Sequence, residues 1–435
     1  MRRITWVVAF AALAGTAIAA DGQVQPVACP IEQVPDLRGL YAGEQDFYKP
    51  PEPKGTVNPH AVVAVLRNGA TALAVAVDSE KPDAKGPDLV RLDFSGKGEF
   101  AGAPVVPLKP QGKNESQSWA TFGPATVTIT RNGKLIPATV QGSYNKSSEY
   151  RFINVQLGCA LEGRLAFGPK TYAVRVIDSD GDLAFGTKAT ATGISGRVRY
   201  VSPCDSIAID TADGSFRQKV IQAYYGQPVR VDGCWYDVEL SPDGTQVSAK
   251  PLAGEMAQLR IAQAQWSATL VGDKHILKVE GSTEPIPIPA DRYTVLVFEQ
   301  SAPYNPQGTA AGSMARLTCR PGRRADSPVA VIDAAAGKMV DLGIGSPLTA
   351  SIATDVGPAP VAVPGVIRTA QAGDPSAKSQ PASQNGPQVR MDFNVADAPG
   401  LMAQVFLPNA GMVTPGVEVM DAAGKRVYEG QFQYG

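Results

Sequence analysis

Histidine is nearly absent from this chain of 435 residues, which has only His60 and His275. A Ser-His-Asp triad or a histidine-rich zinc site would have to be built on one of these two. Neither has a neighbouring Cys, His or acidic residue at ligand spacing. No G-x-S-x-G, H-E-x-x-H, P-loop or dinucleotide-binding glycine fingerprint is present either, so histidine-based catalysis is disfavoured. An excess of charge is also missing: 40 Lys and Arg stand against 41 Asp and Glu, for a formal charge of -1. Nothing in that balance draws the chain to nucleic acid or to an acidic membrane surface. Beyond the first residues no apolar run is long enough to span a bilayer. Five cysteines, Cys29, Cys159, Cys204, Cys234 and Cys319, are spaced widely with no C-x-x-C, which argues against a zinc ribbon or a thioredoxin-like pair.

The first residues supply what the rest lacks. Arg2 and Arg3 precede an apolar run to about Ala14, and Ala17-Ile18-Ala19 forms a small-residue cleavage pattern. This layout predicts a signal peptide over residues 1–19 and a protein that is secreted or periplasmic in the cell envelope, with no transmembrane segment after cleavage. The short Ala-rich leader has a bacterial look, so the sequons at Asn114 and Asn145 are read as coincidental. An oxidising compartment favours disulfides, and the odd count leaves one thiol over. Cys204 to Cys234 is the preferred bridge, because both lie beside hairpin-like segments of one region.

Gly (44) and Pro (36) punctuate short β-branched or aromatic runs such as "ATVTIT", "YAVRVI" and "YTVLVF". Asn132-Gly133 and Asp243-Gly244 sit between such runs, where hairpin turns need positive φ. Only "GSFRQKVIQAYYG" (214–226) carries apolar residues at helix-like spacing, and helix and strand stay equally open there. The expected fold is all-β: antiparallel sandwich-like or barrel-like regions in tandem, closed by an immunoglobulin-like C-terminal domain. The expected divisions are an N-terminal segment with a Pro-rich linker (20–59), a first β region (60–168), a second (169–325), and a C-terminal sandwich (326–435) with a disordered loop at 369–388.

Internal similarity organises the chain further. "DLVRLDFSGKGEF" (88–100) resembles "DSIAIDTADGSF" (205–216): an Asp opens an apolar strand, a second follows five residues later, and Gly-x-Phe closes the turn. "VIDAAAGKMVDLG" (331–343) similarly resembles "VMDAAGKRVYEG" (419–430). The densest acidic turn is "YAVRVIDSDGDLAFG" (172–186), with Asp178, Asp180 and Asp182 on alternate residues. These match the first three oxygen positions of an EF-hand, but Leu183 replaces the Gly at position six and Ala189 the Glu at position twelve, so a true EF-hand is rejected. Two readings stay open: a bare hairpin turn, or a looser Ca²⁺ site in which the three acids share an ion with Asp210 or Asp213.

Paired carboxylates could hydrolyse a glycosidic bond, and Trp119, Trp235 and Trp266 with Tyr224, Tyr225 and Tyr236 could form a sugar-stacking platform. Aromatics that alternate along strands are more often core. The Asp-rich turn, the D-x-x-x-x-D strand with its Gly-aromatic turn, and the hairpin "CWYDVELSPDGTQVSAK" together resemble a modular β region of uncharacterised secreted or cell-envelope bacterial proteins. That resemblance implies no known activity. The expected role is a non-enzymatic structural or binding protein of the periplasm or cell surface. The alternative is a carbohydrate-binding or carbohydrate-active protein using carboxylates and exposed aromatics, with a cell-envelope component or polysaccharide as partner and no nucleic acid.

Overall fold

The computed structural model describes residues 22–47, 54–68, 71–84, 86–113, 117–131, 133–147, 150–194, 198–303, 314–321, 329–344, 349–357, 388–396, 401–407, 411–412, 416–420 and 426–431. The expected signal peptide and nearly all of the 369–388 segment lie outside these residues. The described chain is all-β with several antiparallel sheets; its helical pieces are one 3-10 turn, Ile31–Gln33, and one α-turn, Glu44–Phe47.

The N-terminal half contains β1 (Gly22–Ala28), β2 (Leu40–Ala42), β3 (Val62–Asn68), β4 (Thr71–Asp78), β5 (Leu89–Asp93), β6 (Val105–Lys113), β7 (Gln117–Arg131), β8 (Lys134–Ser147), β9 (Arg151–Phe167) and β10 (Lys170–Ile177). After these come β11 (Ala191–Ile194), β12 (Val198–Val201), β13 (Ser206–Asp210), β14 (Val220–Tyr224), β15 (Val229–Val231), β16 (Cys234–Leu240) and β17 (Gln246–Pro251). The ambiguous segment 214–226 is thus a turn followed by a strand. Both expected hairpins form. Arg131 pairs with Lys134 across a two-residue turn in which Gly133 has φ +74°. At Asp243-Gly244 the pairing closes at Leu240↔Val247, so the loop is longer and Asp243 caps it by accepting from Thr245 N–H.

Strand registers expose a duplication wider than the sequence similarity. In the first copy Val65 pairs with Ala74, Ala74 with Asp93, and Leu89 with Pro107. In the second, Arg164 pairs with Ala173, Ala173 with Asp210, and Ser206 with Tyr224. The meander β3-β4-β5-β6 therefore recurs as β9-β10-β13-β14 in the same register. Even the bond beyond the ladder recurs: Leu108 N–H donates to the Asp88 carbonyl, and Tyr225 N–H to that of Asp205. The copies differ in one connection. Ten residues (79–88) join β4 to β5, whereas 28 residues (178–205) join β10 to β13 and carry the β11–β12 hairpin and the Asp-rich turn. The division expected at 168/169 falls inside the two-residue turn that pairs Phe167 with Lys170.

Alternation assigns the faces. Leu66, Val75, Leu92, Phe122, Ile153 and Val155 bury one face of the first copy and of the long β7–β8–β9 ribbon. Leu165, Val174, Val176, Ile207, Ile209 and Tyr236 bury the corresponding face of the second. β9 serves both copies: its first half pairs with β8 and β2, its second with β1 and β10. Its Gly163 lies so close to β1 that a Cβ there would sit 2.3 Å from the Gln23 carbonyl oxygen.

The C-terminal half contains β18 (Met256–Arg260), β19 (Trp266–Val271), β20 (Ile276–Gly281), β21 (Ile286–Pro289), β22 (Asp291–Pro303), β23 (Met314–Arg320), β24 (Val331–Ala334), β25 (Met339–Asp341), β26 (Thr349–Gly357), β27 (Gln388–Ala396) and β28 (Met402–Leu407). One sheet runs β20-β19-β22-β23-β28-β27-β26, and a smaller one runs β21-β18-β25. Trp266, Leu270, Tyr293, Phe298 and Ile332 form their shared core.

Candidate functional site

The last ladder pair between β10 and β13 is Ile177↔Ser206, so the next residues outward, Asp178 and Asp205, leave the sheet side by side. Asp178 N–H donates to the Cys159 carbonyl at 3.1 Å, which extends the β9–β10 ladder by one residue. Alternation then turns the Asp178 carboxylate to the face of Cys159, whose thiol donates to Oδ2 at 3.5 Å. The following turn folds back onto this carboxylate. Oδ1 accepts from Gly181 N–H (2.7 Å) and Asp182 N–H (3.2 Å), and Oδ2 from Leu183 N–H (2.9 Å). One oxygen from each of Asp178, Asp180 and Asp182 lies within 4.8 Å of the others. Leu183 adopts φ +59°, the left-handed conformation that glycine supplies at position six of an EF-hand. Its buried side chain packs into the first core, which holds that conformation in place.

Asp205 joins from the far end of the 28-residue connection. Its Oδ2 accepts from Gly186 N–H (2.6 Å) and Thr187 N–H (3.0 Å). Its Oδ1 is buried and has no hydrogen-bond partner among the described residues, and the same holds for the Ser179 and Ser206 hydroxyls beside it. Burial, then the charges of Asp180 and Asp182, hold the Asp178 carboxyl well above the usual carboxylate range. Burial, then the Asp178 charge, pushes Asp205 up to about 8. Asp180 is raised by burial and then by Asp182. Among the described residues no Lys, Arg or His forms a salt bridge to Asp178, Asp180 or Asp205. Arg131 reaches the rim of the turn by donating to the Asp182 carbonyl. Such a site can keep its acids protonated or hold a hard cation in their place.

The partners expected for this turn are corrected. Asp210 pairs opposite Ala173, at the other end of a five-residue strand roughly 17 Å away. Its carboxylate caps its own turn, accepting from Ala212 N–H and Phe216 N–H at 2.7 Å each. Asp213 accepts from Ser215 N–H at that same distant end. The fourth acid is Asp205, which the repeat had marked only as the start of a strand. The Cys204–Cys234 bridge is also corrected: none of the five cysteines is in a disulfide. Cys204 packs against Tyr224, Val271 and Ile276, whereas Cys234 is exposed beside the tight turn that ends β15. Burial pushes the Cys29 thiol up to about 11 and that of Cys204 to about 12, so they behave as small apolar groups.

Of the six aromatics that could have formed a sugar-stacking platform, Trp235, Trp266, Tyr224, Tyr225 and Tyr236 are buried, in keeping with the core reading, and Trp119 is exposed (48%). A cleft of about 740 Å³ lies between β14–β15 and β19–β20–β22. It holds two carboxylates in one cross-strand row, Glu280 and Glu299, with Ser267 between them. Its aromatic lining residue, Tyr224, is buried and offers no exposed ring beside them. His60 is exposed, and His275 Nδ1 has no hydrogen-bond partner among the described residues, lying 3.6 Å from Asp291.

A different aromatic row forms on the open side of the β6–β7–β8–β9–β2 sheet. Trp119, Asn145 and Phe152 stand in one cross-strand row, on the face opposite Ala120, Tyr144 and Ile153. Phe152 stacks between Tyr41 (centroids 6.0 Å, 29°) and Tyr150 (6.2 Å, 10°), which are 61% and 43% exposed. The next positions on this face carry amides and hydroxyls: Ser143 opposite Asn154, and Gln141 bonded to Gln156 at 2.9 Å. Sequence reasoning missed this row because its rings come from distant strands; the alternation Tyr150-Arg151-Phe152 at the start of β9 was the available signal. Compared with known proteins, the chain matches no family model, no curated protein and no solved structure.

Proposed function

We propose that this chain is a non-enzymatic binding protein of the bacterial periplasm or cell surface, and that its ligand is a polysaccharide lying across the open face of the β6–β7–β8–β9–β2 sheet. The observation that carries this reading is the exposed stack Tyr41–Phe152–Tyr150 beside Trp119, on a face that also carries the amides and hydroxyls of Gln141, Ser143, Asn154 and Gln156 and one charge, Lys109, in the row of Thr121 and Ser143. Exposed rings meet the apolar faces of sugar rings, and side-chain amides both donate to and accept from sugar hydroxyls. The signal-like leader supports an extracytoplasmic location. An immunoglobulin-like C-terminal sandwich belongs to the same proposal, supported by the antiparallel run β26-β27-β28-β23.

The test is binding of the full chain to a panel of insoluble and soluble cell-envelope polysaccharides. Phe152→Ala and Tyr150→Ala should each weaken the best binder about tenfold, within the roughly 0.5–1.5 kcal/mol such ring contacts carry, and leave the melting temperature unchanged. Binding unaffected by Phe152→Ala, Tyr150→Ala and Tyr41→Ala together would remove this face from consideration. Release of reducing ends from any member of the panel would instead favour the carbohydrate-active alternative, with Glu280 and Glu299 as the acids to substitute.

A further inference from the structure

We infer that Asp178, Asp180, Asp182 and Asp205 form a calcium site that closes the base of the 28-residue connection between β10 and β13. The acidic turn alone would not carry this, since Asp and Gly favour turns for conformational reasons. The independent observation is Asp205. It comes from the opposite end of the connection, has no exposed surface, and leaves Oδ1 without a partner. Asp205 stands opposite Asp178, one position beyond the Ile177↔Ser206 pair and on the same face, so its carboxylate is the cross-strand neighbour of the innermost acid of the turn. Buried polar groups in folded proteins are almost always satisfied, and a carboxylate oxygen among other carboxylates is satisfied by a cation.

The donor set selects the ion. Every candidate ligand is a carboxylate oxygen, and no histidine is near, which suits a hard cation and disfavours zinc or copper. The ligands come from an irregular turn and a separate strand end, a spacing that the flexible six-to-eight-oxygen sphere of calcium tolerates better than the strict octahedron of magnesium. Asp178 keeps unused lone pairs, because each of its oxygens can accept more than the backbone N–H groups it already binds. The two ends of the connection are joined by this ion, which acts as a staple on the segment that distinguishes the second copy from the first. The inference rests on the turn and on Asp205, and is independent of the sugar-binding face.

The test uses the full chain stripped of metal with a chelator, then given calcium or magnesium alone. Equilibrium dialysis should recover about one calcium per chain, and calcium should raise the melting temperature more than equimolar magnesium, because an ion that binds only the folded form stabilises it. Limited proteolysis within 178–205 should slow on calcium addition. Asp205→Asn and Asp180→Asn, close isosteres, should each weaken calcium binding at least tenfold, while Asp213→Asn should leave it unchanged. Asp182→Asn, at the less buried edge of the turn, supplies a further arm if Asp205→Asn does not fold. No calcium retained at millimolar free ion, or full affinity retained by both Asp205→Asn and Asp180→Asn or Asp182→Asn, would overturn the site.

Discussion

The two four-strand copies share a register but solve the problem of an acid at the strand end in opposite ways. In the first, Asp78 accepts from Val57 and Asn58 N–H at 2.9 Å, and Arg91 closes on it at 2.7 Å, so its charge is neutralised within the chain. In the second, the cross-strand pair that corresponds to Ala76↔Arg91 is Arg175↔Ala208, with the arginine on the other strand. From there Arg175 turns to Glu162 (2.7 Å), to Gln33, and over the Phe216 ring, away from the acidic turn. The acid has also moved: Asp78 matches Ile177 in register, and Asp178 comes one residue later. Because side chains alternate, that single residue carries the carboxylate to the opposite face of the sheet, where neither arginine stands. The first copy contains its own counter-charge, and the second presents an enclosure of acids.

The comparison can be broken most sharply at Arg91. Arg91→Ala should cost about 3–5 kcal/mol in urea unfolding, because it leaves the fully buried Asp78 charge uncompensated. Adding Asp78→Asn should recover much of that loss. A smaller effect, on the order of a few kcal/mol, is expected from pH in the presence of chelator. Asp205, raised to about 8, holds its proton more tightly in the fold than in the unfolded chain, where it titrates near the ordinary aspartate value of 3.8. Its contribution to stability is then fully present below pH 4 and is lost as pH rises to about 8. Denaturant midpoints across that range should fall more steeply for the chain than for Asp205→Asn, and equal slopes would show that Asp205 does not titrate in this way. The smallest effect belongs to Arg175→Ala, expected to cost about 1 kcal/mol, since Arg175 leaves a partly solvated Glu162 and one ring contact behind. A loss from Arg175→Ala as large as that from Arg91→Ala would erase the distinction between the copies.

Much of this architecture could be read from residues alone. Strands and hairpins were legible because Asn-Gly and Asp-Gly announce turns locally, and the Asp and Phe of each repeat were legible because one caps a turn and the other fills the core beneath it. Phe100 and Phe216 are both buried. Pairing the acidic turn with Asp210 or Asp213 failed for a reason of length: a strand with an acid at each end holds those acids far apart, so only Asp205 could meet Asp178. The burial of Trp235, Trp266 and Tyr236 follows the reading that aromatics alternating along strands are more often core, whereas the exposure of Trp119 was unreadable, since alternation says that two faces differ without saying which one the neighbouring sheet covers. The Cys204–Cys234 pairing failed similarly, because lying beside hairpins does not bring two Cβ atoms within bridging distance.

Strand β9 has a mechanical consequence. Its first half displays Phe152 on the open face, and its second half carries Cys159, against which Asp178 is set, seven residues or roughly 23 Å farther along the same strand. Backbone bonds flank it on both sides: β8 and β2 in the first half, β1 and β10 in the second. A tether attached at the aromatic face and pulling along β9 would load those bonds together in shear. Tension gathered where a polymer is held would therefore run straight into the acidic turn, at the point where an ion would fasten the fold.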